Sequence, residues 1–70
     1  MNKFKEYPEP IKVNVIGPGP YVRPGVGLGY FTRELDKEIK PGIKMISIFV
    51  LVMSDDGEPF ISNARYVYPA

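Results

Sequence analysis

Ile43-Lys44-Met45-Ile46-Ser47-Ile48-Phe49-Val50-Leu51-Val52-Met53 is the stretch that decides the fold class of this 70-residue chain. It is dense in β-branched and aromatic side chains, which suit a pleated surface better than a helical one. Pro41-Gly42 precedes it and Ser54-Asp55-Asp56-Gly57 follows, so turn residues punctuate both ends. Its apolar part, residues 45–53, is about half the roughly 20 residues that a membrane span requires. The run therefore predicts a central β-strand and no membrane crossing.

The segment after it predicts a hairpin. Asp56-Gly57 is a favoured pair for a two-residue type I′ turn, in which both central positions need positive φ. That turn sets Met53 opposite Phe60, Leu51 opposite Ser62, Phe49 opposite Ala64 and Ser47 opposite Tyr66 on one face. On the other face it sets Val52 opposite Ile61, Val50 opposite Asn63, Ile48 opposite Arg65 and Ile46 opposite Val67. It also sets Asp55 opposite Glu58, a like-charge pair that works against this register.

Both faces of the run are apolar from Ile46 to Val52, as in a strand covered on two sides. A chain of this size buries only about 60% of the surface its unfolded form exposes. Small folds add disulfides, metals or oligomerisation to compensate, and this sequence has neither Cys nor His. The surplus apolar face, Ile46, Ile48, Val50 and Val52, is thus the expected self-association surface, with a homodimer favoured.

Upstream, Ile11, Val13 and Val15 alternate with Lys12 and Asn14, the pattern of a half-buried strand. Residues 1–10 contain Tyr7-Pro8-Glu9-Pro10 and read as an extended N-terminal arm, with 11–70 a single small β domain. Gly17-Pro18 and Pro24-Gly25 read as turns that frame a loop carrying Tyr21, Val22 and Arg23. Val26, Leu28 and Tyr30 form one face of a second strand, with Gly27 and Gly29 bare on the other. Glycines inside a strand mark a bulge, a bend or a close backbone approach. Thr32 to Ile39 reads as a short helix, with Thr32 as N-cap and Leu35/Ile39 as an i,i+4 apolar pair. The outer part of a hairpin is the other reading of that segment. The expected architecture is mainly β: a small antiparallel sheet or partly open barrel with a C-terminal hairpin and one short helix.

Composition narrows the chemistry. Nucleophile–histidine arrangements need residues that are absent here, as do zinc sites built on Cys or His. Asp55 and Asp56 fall at an exposed turn tip, where nothing in the sequence perturbs a carboxylate. Gly17-x-Gly19 and Gly25-x-Gly27-x-Gly29 lack the strand–turn–helix context of a dinucleotide fingerprint. No enzyme, no cofactor and no metal is expected. The formal net charge is +1. Residues 1–33 hold five positive and two negative groups, while residues 34–70 hold four and six, short of the basic footprint of a dedicated nucleic-acid binder. Met1 to Glu6 has no apolar core after its lysines, so no secretory signal is expected and the setting is cytoplasmic.

Two functions follow. The first is a non-enzymatic binding protein that self-associates and recognises another protein through Tyr21, Val22 and Arg23, since Tyr and Arg are enriched at hot spots. Its size suits a phage-type accessory or inhibitor protein. The second is single-stranded nucleic-acid binding, with Tyr30 and Phe31 stacking on bases and Arg23 and Arg65 tracking phosphates. The Gly-rich stretch with its Arg and Tyr is similar in composition to the binding loop of phage single-stranded DNA-binding proteins; no motif assigns the chain to that family.

Overall fold

The computed structural model describes residues 3–17 and 21–70, with side chains described except at 35–40 and 43–45. Five strands make one antiparallel sheet: β1 (Lys5–Ile16), β2 (Val22–Lys40), β3 (Ile43–Ser54), β4 (Pro59–Asn63) and β5 (Val67–Pro69). Their order across the sheet is β4-β3-β2-β1-β5. The two edge strands, β4 and β5, are consecutive in the chain and are joined only by the 3₁₀ turn Ala64–Tyr66. So short a link between opposite edges requires the sheet to curl, and the result is a half-barrel. Among the described residues, no helix is long and apolar enough to cross a membrane.

The bend has a cause in sequence. β2 is the middle strand and carries Gly25 and Gly27, both buried. A Cβ at Gly25 would meet the Met53 carbonyl oxygen, and one at Gly27 would touch Tyr7, Val13 and Val50. Bare backbone on the inner side of β2 lets the two halves of the sheet close over one another. Val13, Val15, Val50 and Val52 form the buried core there, with Tyr7, Tyr30, Phe60, Ala64 and Val67 packed against it.

The structure changes several expectations. The β3–β4 turn is not type I′. Ser54 N donates to Glu58 O (2.9 Å) and Gly57 N donates to Ser54 O (2.9 Å), so the loop holds three residues, Asp55, Asp56 and Gly57. Gly57 alone takes positive φ (88°), and Asp56 does not. This is the three-residue hairpin loop, a tight turn closed by a left-handed glycine. The register consequently moves by one: Val52 faces Phe60, Leu51 faces Ile61, Val50 faces Ser62 and Phe49 faces Asn63. A one-residue slip exchanges the faces of the whole strand. Phe60 thereby joins the core while Ile61 is left exposed, and Asp55 no longer opposes Glu58.

The last strand also divides. β4 stops at Asn63, whose Oδ1 accepts from Arg65 N at 3.1 Å and caps the 3₁₀ turn. The chain then crosses to β1, where Val67 pairs with Val15 and Pro69 with Val13. The expected pairs of Ile48 with Arg65, Ser47 with Tyr66 and Ile46 with Val67 do not form.

The helix expected over 32–39 is strand instead: β2 runs unbroken to Lys40 and returns through Pro41-Gly42, with Gly42 at φ 83°. A helix of one or two turns closes few internal hydrogen bonds, whereas the neighbouring β3 offers a ready ladder. The Leu35 and Ile39 side chains lie outside the described residues. Leu28 is an extra residue, since Gly27 faces Val52 and Gly29 already faces Leu51. This bulge breaks the expected alternation, so Tyr30 packs on the core rather than sharing a face with Val26 and Leu28. Of the expected arm, residues 5–10 are the start of β1: Lys5 pairs with Tyr30 and Glu6 with Gly29.

Candidate interaction surface

β2 and β3 outrun their neighbours. β1 pairs with β2 no further than Tyr30, and β4 pairs with β3 no further than Phe49. Beyond those points the β2–β3 hairpin is a two-stranded ribbon with both edges open among the described residues. Thr32 pairs with Ile48 and Glu34 with Ile46 along it. At the root of the ribbon, the Phe31 and Phe49 rings stack at 5.5 Å with 21° between planes.

The expected self-association set divides at this boundary. Val50 (5% exposed) and Val52 (0%) turn into the chain's own core, whereas Ile46 (66%) and Ile48 (47%) stand open on the ribbon. All four share one side of β3. That side is covered where the half-barrel closes and uncovered where the ribbon leaves it.

The expected recognition residues are scattered. Tyr21 and Val22 are exposed at the far end of β2 from the ribbon, where Gly17 N donates to Tyr21 O at 3.0 Å; residues 18–20 of that loop lie outside the described residues. Arg23 is occupied within the chain. Its guanidinium carbon sits 4.2 Å from the Phe60 ring centroid, and Nη2 lies 3.3 Å from Glu58 Oε2 and 4.0 Å from Asp56 Oδ1. It closes the end of the core against the β3–β4 turn. Tyr30 is half-buried 6.0 Å from the Tyr7 ring, while Phe31 stacks on Phe49. Arg65 projects from the 3₁₀ turn, 6.0 Å over its neighbour Tyr66. Arg23 thus lies at the β3–β4 turn, Tyr30 beside the core, Phe31 at the root of the ribbon and Arg65 in the 3₁₀ turn.

Two features are absent from the sequence reading. An apolar cleft of about 250 Å³ opens between the sheet halves, lined by Tyr7, Ile11, Val13, Val50, Ala64 and Val67. It depends on β5 docking on β1, which no local signal announces. The second is Asp56, expected to be unperturbed. Its carboxyl is held below the ordinary 3.8, chiefly because it accepts a hydrogen bond from the Ser54 hydroxyl; slight desolvation opposes this, while the Glu58 backbone N–H and the Arg23 charge reinforce it. Ser54 Oγ in turn accepts from Glu58 N at 3.1 Å. These contacts organise the turn.

Comparison with family models, with curated proteins and with solved structures finds no match to the chain.

Proposed function

We propose that this chain is a non-enzymatic interaction protein that docks through the projecting β2–β3 ribbon, associating with its own kind and with another protein in a cytoplasmic setting. One observation carries the reading: Ile46 and Ile48 are exposed on a ribbon that outruns every neighbouring strand. A two-stranded ribbon alone is marginal in water and gains stability from a further strand or a packed surface. Open edges recruit strands from partners. Nucleic-acid binding draws less support, because its aromatic and basic residues point to different parts of the molecule.

The test is a photo-crosslinking residue placed at position 48, compared with one at position 21 on the opposite end. Protein adducts at 48 that exceed those at 21 support the ribbon. Adducts at 21 alone move recognition to the Tyr21–Arg23 end and overturn the reading. Adducts or captured partners that vanish on nuclease treatment favour the nucleic-acid alternative.

A further inference from the structure

From the two edges of the ribbon we infer that its occupant is a second copy of this chain, paired antiparallel through β3 with Ile46 on the twofold axis. This rests on the ribbon reading above and names the partner and register.

The two edges are unlike. The β2 edge carries Arg33, Glu34, Asp36, Lys37, Glu38 and Lys40. A symmetric antiparallel pairing of a regular strand joins positions an even number apart, because partners must share a face. β2 is not regular there: it holds extra residues against β3 between Glu34 and Glu38 and again between Glu38 and Lys40. Bulges and charges both blunt an edge against an added strand. The β2 edge is therefore the poorer template for a second copy.

The β3 edge is bare. Lys44 is its single charge between Ile43 and Ile48, and β3 has no extra residue against β2 over 46–54. β4 occupies this edge as far as Phe49, so residues 43–48 are what remains open. Centring on Ser47 allows three paired positions before β4 intrudes. Centring on Met45 allows five, but it leaves Ile48 outside the ladder and sets the two copies' Lys44 positions diagonally adjacent. Centring on Ile46 also allows five. It places Ile46 against the second copy's Ile46, Met45 against its Ser47 and Lys44 against its Ile48. Both exposed isoleucines enter the ladder, and the two lysines lie at opposite ends. The pairing is isologous and closes at two, so it covers the edge without propagating.

The chain has no cysteine, which makes a disulfide test clean. Opposed positions lie within disulfide reach, with Cα atoms about 4.4–6.8 Å apart. Ile46→Cys is expected to form a covalent dimer under mild oxidation, at least about tenfold faster than Ile61→Cys, an exposed control on β4 (57%). Faster linkage through Met45→Cys or Ser47→Cys overturns the register. A charge test runs beside it in sedimentation velocity. Ile46→Asp and Ile46→Lys are each expected to be monomeric at concentrations where the parent chain is dimeric, and an equimolar mixture to recover the dimer. Ile46 is 66% exposed, so neither change threatens the fold. A parent chain that sediments as a monomer at several hundred micromolar overturns the proposal, as does a mixture that stays monomeric. Adducts at position 48 without a disulfide at 46 remove the second copy and leave the ribbon reading standing; absence of both removes both.

Discussion

Gly25→Ala and Gly27→Ala are the same chemical change two residues apart in β2, and the structure assigns them opposite signs. A Cβ at position 25 would lie 2.5 Å from the Met53 carbonyl oxygen, 3.0 Å from Val52 Cγ1 and 3.1 Å from Ser54 Cα. Carbon–oxygen contacts of this kind settle at about 3.3–3.6 Å, so the two strands must part by about 0.8 Å. Two of the three obstacles are backbone, which cannot rotate away. Overpacking costs about 1–3 kcal/mol, and each weakened ladder hydrogen bond costs about 1 kcal/mol more. A loss of about 2–4 kcal/mol results, against a total of about 4–10 kcal/mol for a domain of this length. At position 27 the nearest atoms are Tyr7 Cε2 at 3.4 Å, then Val13 and Val50 methyls at 3.6 Å, all in ordinary contact. Here the methyl restricts the unfolded chain and fills space, a gain of about 0.4–1 kcal/mol. Urea and thermal unfolding followed by circular dichroism, at one protein concentration, measure both. At about 4–8 °C per kcal/mol for this size, Gly25→Ala is expected to lower Tm by at least about 10 °C and Gly27→Ala to raise it by a few degrees. A Gly25→Ala protein as stable as its parent refutes the inner-side packing of β2. So does a Gly27→Ala protein that loses more than about 1 kcal/mol.

Val50→Asp and Ile48→Asp separate core from surface on one side of β3. The first buries an unpaired carboxylate and is expected to leave the protein unfolded by circular dichroism; the second is expected to keep the fold and lower the mass in sedimentation. Arg23→Ala removes the guanidinium from Phe60 and Glu58 at a site 44% exposed, so a loss of about 1 kcal/mol or less, its ion-pair part screened by added salt, is expected in denaturant titration. The Asp56 carboxyl has a folded pKa below its ordinary 3.8. Its contribution is therefore complete well above 3.8 and is lost as pH falls through the lower folded value. Stability curves of the parent and Asp56→Asn are expected to differ at neutral pH and to converge in acid, and a constant difference down to pH 2 would refute the Ser54–Asp56 contact.

The strand Ile43–Met53 was legible because its β-branched run and flanking turns are local signals, and close approach at Gly27 was legible because it needs a missing Cβ; Pro24-Gly25, read as a turn, instead lies within β2 and pairs on both sides. The hairpin register was not. Whether Asp56-Gly57 makes a two- or three-residue loop turns on one φ angle at Asp56, and that choice moved Phe60 into the core and Ile61 out of it. The helix over 32–39 misread a segment whose local pattern fits both states, with the neighbouring strand deciding. The candidate surface was half legible: Ile46 and Ile48 stand exposed, while Val50 and Val52 have the same pattern and are core.

What the residues determined by themselves is the strand content of the C-terminal half, the bare glycine backbone in β2 and the exclusion of cysteine and histidine chemistry. Each follows from side-chain type at a given position. What tertiary structure decided is where the isoleucine–valine side of β3 stops being interior. That boundary is set by where β4 ends, at Asn63, and by the 3₁₀ turn that carries the chain to β1. Burial is a property of neighbours distant in sequence, and an apolar run looks the same whether its own chain covers it or leaves it open.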